Sequence, residues 1–366
     1  MTRRLPEVIH YTTITDEQAY WLGFERQDMG EFDSVNDLAG LEDALRSLGI
    51  EPCRLGHGRS LVADLLETNP PLLWNLNSGV FGATREAQVP ALCEMLGIPL
   101  VGSGSWTAFV TQDKTLAVNW IRQNDVPVEV AESVTIFNAD EMGKLHRLSF
   151  EWPYLVKPNY EGSSRGIDEA AVQFTHGGVE RQVSRILREW GPVRIERYID
   201  GFDVSANLAC NPDGTLLPLV PVMVESETGV YDGGMKNLVE GSPKKSRRPL
   251  ADYDAGLSNK AQKAALLVAS CLRFRHYARV DLRCEISSGK LYFLEANVCP
   301  SFEPDDDYVF AAQVSGLTFP ELLSNILTAA FTDALACRHL CEAPLKIRSA
   351  VQSELLLPGS SEQRRS

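Results

Sequence analysis

Between Tyr277 and Asn297 the character of the side chains changes with a period of two. In the first half, Arg279, Asp281, Arg283 and Glu285 fall on one face and Ala278, Val280, Leu282 and Cys284 on the other. In the second half, Leu291, Phe293, Glu295 and Asn297 share a face, with Tyr292, Leu294 and Ala296 opposite. A period of two predicts strands, because successive side chains leave a strand on opposite sides. Ser287-Ser288-Gly289 between the halves is turn chemistry. A three-residue loop with Gly in the left-handed conformation predicts a hairpin pairing Ile286 with Lys290, and so Asp281 with Glu295 and Arg279 with Asn297. A two-residue loop would put Asp281 opposite Ala296, on the wrong face.

Elsewhere the pattern is of short apolar runs alternating with helical spacing. Residues 8–11 and 72–76 read as buried strands, and 38–48 and 87–96 as helices closed by Gly49 and Gly97. Such alternation predicts an N-terminal parallel α/β domain over residues 1–110, with ligands beyond the carboxyl ends of its strands. The polar loops 77–82 and 102–105 are candidates there, although Gly102-Ser103-Gly104 can equally be a tight turn before a helix. A helix opens near Thr111 and runs through Ile121, with Lys114 in its first turn. There the helix dipole disfavours a cation, so Lys114 is either a surface lysine or functional. Residues 153–158 form an apolar strand ending in Lys157-Pro158, and 193–205 run strand, turn, strand. A central unit at 111–200 and a C-terminal unit at 201–345 follow. Residues 314–336 read as an amphipathic closing helix, and the tail 346–366 as disordered.

Composition narrows the function. The 366 residues are 44% hydrophobic and 23% charged, with a net charge of -14. That charge disfavours nucleic acid and anionic membrane surfaces as partners. No apolar run of spanning length and no signal peptide is expected. The eight cysteines are scattered, which suggests reduced thiols and a cytoplasmic protein. Cys299 reads as packing, and Cys337-x-His339-x-Cys341 as a helix end with too few ligands for a metal.

The hairpin carries the sharpest chemistry. Two carboxylates opposed across a sheet repel each other, so either this is an edge hairpin with a solvated polar face or a cation sits between Asp281 and Glu295. With Asn297 they offer hard oxygen ligands, which suit Mg²⁺ completed by phosphate oxygens and water. Lys157 feeds the loop Asn159–Ile167, where Gly162, Ser163, Ser164 and Gly166 offer backbone N–H groups and hydroxyls to phosphate. Around Glu196-Arg197-Tyr198-Ile199 a backbone edge with a carboxylate can read adenine, and Asp203 can hold ribose hydroxyls. The Gly-rich stretch 225–241, with Lys236, looks like a lid.

In order, Asp113-Lys114, Val156-Lys157-Pro158 with Glu161-Gly162-Ser163-Ser164, Glu196 to Asp203, Tyr231-Asp232 with Lys236, Arg279-x-Asp281 and Glu295-x-Asn297-x-x-Pro300 resemble the ATP-grasp superfamily. Within it they resemble the D-alanine–D-alanine ligases, over roughly residues 72–336. The resemblance implies a three-domain ATP-grasp architecture, α/β with α+β parts. It implies an ADP-forming carboxylate–amine ligase working through an acyl phosphate. Lys114, Lys157 and Lys236 would hold ATP phosphates, Glu161 to Ser164 would close over them, and Glu196, Arg197, Tyr198, Ile199 and Asp203 would bind the nucleoside. Asp281, Glu295 and Asn297 would bind two Mg²⁺, with Mn²⁺ as a substitute. Arg279, Lys236 and Ser301 would act on the reacting groups.

The family's His-x-x-x-Gly-Glu-Asp-Gly stretch is absent. Residues 77–88 read Asn-Ser-Gly-Val-Phe-Gly-Ala-Thr-Arg-Glu-Ala-Gln, and Ser301 replaces the Gly after the motif proline. These departures point away from D-alanine and toward other amino acids or amino-acid-like carboxylate and amine substrates. A true cell-wall D-alanine–D-alanine ligase, a catalytically inactive nucleotide-binding module and a homodimeric assembly stay open.

Overall fold

The computed structural model describes residues 5–25, 32–168, 170–226, 245–303 and 306–342, with the side chains of 226, 245 and 337–342 excluded. The expected lid around Lys236, the tail and the Cys337–Cys341 cluster therefore lie outside the described residues or side chains.

The first unit is a parallel sheet with helices. It comprises β1 (Val8–Thr12), α1 (Asp16–Trp21), α2 (Val35–Ser47), β2 (Glu51–Leu55), α3 (Arg59–Thr68), β3 (Leu73–Asn75), α4 (Arg85–Leu96) and β4 (Leu100–Val101). The strand order is β2-β1-β3-β4, all parallel. The chain winds outward from β1 in one direction and then returns to its other side, so the order reverses between β1 and β3. Crevices beyond the carboxyl ends of strands at such a reversal are where ligands bind in open α/β sheets. Helix α2 is started by a capping box of Ser34 and Asp37 and buries Leu38, Leu41 and Leu45. Gly49 (φ 74°) and Gly97 (φ 71°) follow helices in the left-handed conformation, as the sequence pattern predicts.

Helices α5 (Ser105–Gln112) and α6 (Lys114–Gln123) lead to a second, antiparallel sheet. It contains β5 (Ser133–Ile136), β6 (Tyr154–Pro158), β7 (Val172–Gln173) and β8 (Val193–Arg197), with α7 (His176–Glu189) against it. The order is β5-β8-β6-β7. Val179, Val183 and Ile186 recur at helical spacing on α7 and pack on Tyr154, Val156, Val193 and Ile195. Helix α6 instead buries Ala117, Val118 and Ile121 in the core of the third sheet.

The third sheet holds β9 (Gly201–Cys210), β10 (Leu216–Pro218), β11 (Val222–Ser226), β12 (Lys245–Pro249), β13 (Tyr277–Glu285) and β14 (Leu291–Asn297). Helices α8 (Leu250–Tyr253), α9 (Ala255–Cys271), α10 (Asp307–Val314) and α11 (Phe319–Glu342) complete the described helices. Strands β8 and β9 lie in different sheets, so 198–200 is a crossing between sheets and not the turn of a hairpin. No helix among the described residues is long and apolar enough to cross a membrane.

The hairpin forms with Asp281 paired to Glu295 and Arg279 to Asn297, but its loop is longer than expected. Cys284 pairs with Leu291, and Glu285 accepts from the Gly289 N–H and donates to the Lys290 carbonyl, leaving 286–289 as the turn. The register then shifts by one residue between Asp281 and Leu282. This bulge corrects the expected face of Leu291 and Phe293. Both pack in the core with Val280, Leu282 and Ala296, not beside Glu295. The extra residue buries two large apolar side chains and still leaves Glu295 and Asn297 facing the site.

Candidate active site

Two cavities meet on the polar face of this hairpin. The larger is lined by Lys114, Lys157, Glu161, Ser163, Ser164, Glu196, Arg197, Tyr198, Ile199, Asp203, Arg279, Asp281 and Glu295. The smaller takes in Gly162, Asn297 and Ser301. Arg279 and Ser163 line both. Every sequence-predicted site residue except Lys236, which is not described, therefore reaches one of two adjoining spaces.

In the larger cavity the cations are already paired. The Lys114 Nζ lies 2.9 Å from Glu295 Oε2 and donates to the Glu161 carbonyl. Its side chain is 7% exposed, so it is not a surface lysine. Asp113 caps α6 by accepting from the Leu116 N–H, which fixes the turn that presents Lys114. Lys157 Nζ is 2.6 Å from Glu196 Oε1, and Arg194 Nε is 2.8 Å from Glu196 Oε2. Burial opposes ionisation of Glu196, but Lys157 and Arg194 outweigh it and hold its carboxyl below the ordinary range. With cations on both oxygens, this carboxylate orients Lys157 rather than standing free to read a base.

Arg283 was missed as a site residue, although its place on the polar face of β13 was legible. Its Nε donates to the Ile199 carbonyl at 2.6 Å and Nη1 to Asp203 Oδ1 at 2.7 Å. Its Nη2 donates to the Tyr198 hydroxyl at 3.1 Å and the Gly201 carbonyl at 2.9 Å. One buried guanidinium thus shapes the crossing between β8 and β9. The Arg197 side chain turns to Glu285 and Tyr292, so its guanidinium is already paired.

Asp281 receives two bonds from Arg279 Nε, at 3.1 and 3.2 Å, and one from Asn297 Nδ2 at 2.8 Å. Burial and the Glu295 charge push the Asp281 carboxyl up, against Arg279. Burial opposes ionisation of Glu295 too, but Lys114 prevails and holds its carboxyl down. Among the described residues no group of three or more His, Cys, Asp or Glu side chains is placed to hold a metal. Two carboxylates and an amide fit a hard divalent cation whose remaining ligands come from phosphate and water, not a cage made by protein alone.

The smaller cavity lies at the reversal point of the first sheet. Phe32, Asp33, Leu76 and Ser78 form its first-domain wall, with Asp37 and Glu86. Glu303 lies on the far side, beside Ser301. The Gly102-Ser103-Gly104 turn is not part of it. The Gly102 N–H donates to His276 Nδ1, and a Cβ on Gly102 would lie 2.8 Å from the Tyr277 hydroxyl, so this turn packs the first unit onto the third.

Residues 124–328, more than half of the chain, match the family model for the D-Ala D-Ala ligase C-terminus. The chain belongs to the D-alanine–D-alanine ligase family. It is similar to the D-alanine–D-alanine ligase of Aquifex aeolicus, 28% identical over 78% of this chain and 91% of the relative. It is also 28% identical to the D-alanine–D-alanine ligase of Sinorhizobium fredii, over 79% of this chain and 90% of the relative. In fold it is similar to the VanG D-Ala:D-Ser ligase of Enterococcus faecalis (TM-score 0.69, 18% identity, covering 88% of this chain and 99% of that one). The Bacillus anthracis D-alanine–D-alanine ligase is as near (TM-score 0.68, 19% identity, 90% and 99%). The ATP-grasp architecture and an ATP-dependent carboxylate–amine ligase activity, with ATP and a divalent metal in use, are thereby supported for this member of the family.

Proposed function

We propose that the larger cavity binds ATP with two Mg²⁺ ions, replaceable by Mn²⁺, and that the smaller binds the carboxylate and amine substrates, which are amino acids or close analogues. The observation that carries this is the position of Arg279. It borders both cavities and lies against Asp281, opposite Asn297.

Lys114 and Lys157 take the phosphates, exchanging their carboxylate partners in part for phosphate oxygens. The backbone around Arg197 and Ile199 reads the base, and Asp203, fixed by Arg283, faces the ribose. Asp281, Glu295 and Asn297 would hold the metal, which when bound would neutralise charge on the transferring phosphate. A substrate carboxylate oxygen attacks the γ-phosphorus and ADP leaves. The amine nitrogen then attacks the acyl carbon, loses a proton, and phosphate departs with the former carboxylate oxygen. Arg279 and backbone N–H groups near Ser301 balance the oxyanion of that second step.

The smaller cavity adds a feature of substrate class. Asp33, Asp37, Glu86 and Glu303 outnumber Arg279 among its described charged residues. Such a wall favours an ammonium group on the substrate. The test is a screen of amino-acid pairs with ATP and Mg²⁺, scored by phosphate release and product mass, with D-alanine alone as one arm. An ¹⁸O label in the substrate carboxylate must appear in the released phosphate. Label that stays wholly in the product would eliminate the acyl phosphate.

A further inference from the structure

We propose that Arg85 is a positioning residue for this ligase: from the first domain it holds the loop 160–166 in place through the Glu161 carboxylate. The proposal rests on the reading above only in taking that loop to cover the phosphates.

Arg85 opens α4, the end of a helix where a cation is disfavoured, and it is 4% exposed. A guanidinium in that position needs strong partners. The loop supplies them. Nη1 donates to the Tyr160 carbonyl at 3.3 Å and to Glu161 Oε1 at 3.3 Å, and Nη2 to Glu161 Oε2 at 3.2 Å. This is a two-pronged contact between domains, made 76 residues apart in the chain.

Glu161 carries the hold further. Its carboxylate also takes Arg165 Nη1 at 2.9 Å, and that guanidinium lies over the Phe24 and Trp190 rings. Its carbonyl accepts from Lys114, whose ammonium also meets Glu295. An unbroken series of contacts therefore runs from the start of α4 to the metal-facing hairpin.

The loop has reason to need an outside hold. Ser163 (φ 53°) and Ser164 (φ 59°) are successive non-glycine residues in the left-handed region, a conformation that persists only where surroundings impose it. Ser163 also stands between the two cavities. Released from Arg85, the loop would present its N–H groups and hydroxyls less rigidly to phosphate.

The experiment compares R85A, R85K, E161A and R85A/E161A with the wild type. Amide exchange of a peptide covering 159–167 is measured without nucleotide, and affinities for Mg²⁺–AMP-PNP and for adenosine are measured by calorimetry. R85A should speed exchange in that peptide and weaken AMP-PNP binding, each about tenfold or more. Adenosine affinity and exchange across 277–297 should not change. R85K should fall between, and the double variant should be little worse than either single. If R85A does not fold, R85K and E161Q make the same comparison. Unchanged exchange at 159–167, equal losses for adenosine and AMP-PNP, or simple addition of the two single effects would overturn the proposal. Because exchange is read without nucleotide, this arm decides it even if the wild type bound no AMP-PNP, an outcome that would remove the ATP reading instead.

Discussion

The two cavities that meet at Arg279 balance charge in opposite ways. In the larger one each lining cation has a carboxylate already in place: Lys114 with Glu295, Lys157 with Glu196, Arg165 with Glu161, Arg197 with Glu285, Arg279 with Asp281, Arg283 with Asp203. In the smaller one acids predominate, and they come from the stretch before α2 (Asp33), from α2 (Asp37), from α4 (Glu86) and from the segment after β14 (Glu303). A preformed ion-pair lattice suits a ligand common to the family, since the groups that will meet phosphate are aligned beforehand. An acidic hollow assembled from separate segments can vary without disturbing that lattice. The pattern agrees with the sequence, in which the nucleotide motifs are kept and residues 77–88 and Ser301 depart.

The largest effect expected on this contrast comes from E295Q. Glu295 both faces the proposed metal position and pairs with Lys114, so the substitution would remove a proposed ligand charge and leave a buried ammonium poorly compensated. ADP formation should fall by about a thousandfold or more at saturating Mg²⁺. Stability should fall by roughly 1–3 kcal/mol, measurable by urea unfolding. Near-normal ADP formation would break the assignment of the larger cavity.

R283K should act less severely on function, though more on the fold. Lysine keeps the charge but loses the planar fork that serves four oxygens at once. A loss of about 2–4 kcal/mol of stability is expected, with adenosine affinity reduced about tenfold by misplacement of the Tyr198–Asp203 segment. Adenosine binding as tight as in the wild type would show that this crossing does not shape the nucleoside site.

The same contrast explains what could be read from the chain alone. The hairpin was legible because period-two alternation and a Gly turn act locally, and the Asp281–Glu295 pairing came out right although the loop did not. A longer turn and a bulge cancel at that pair, and no local signal marks the bulge. The depth of Lys114 was not legible either, since its burial depends on Glu161 and Glu295, far along the chain. Arg85 carries no local signal because its partner, Glu161, lies in another domain. The acidic hollow had no motif to announce it, only the general rule that ligands bind beyond the carboxyl ends of parallel strands.

The smallest effect expected is also the one that most directly probes the acidic hollow. Asp33 accepts from the Thr13 hydroxyl at 2.5 Å. Burial pushes its carboxyl up to about 6, against that bond and with help from Asp37 and Asp16. A carboxyl that holds its proton more tightly folded than unfolded stabilises the fold at low pH. That contribution is lost as pH rises from the ordinary value of 3.8 through about 6. The loss is on the order of 2 kcal/mol by neutral pH. D33N carries no charge to bury, so its urea stability should decline less between pH 4 and pH 7 and exceed that of the wild type at pH 7. If Asp33 meets a substrate ammonium, the same variant should raise the KM for the amine substrate while leaving that for ATP alone. Stability curves that run parallel across this range would show that the Asp33 carboxylate is not strained by its surroundings. A gain in stability without any change in KM would show that the strain serves something other than the substrate.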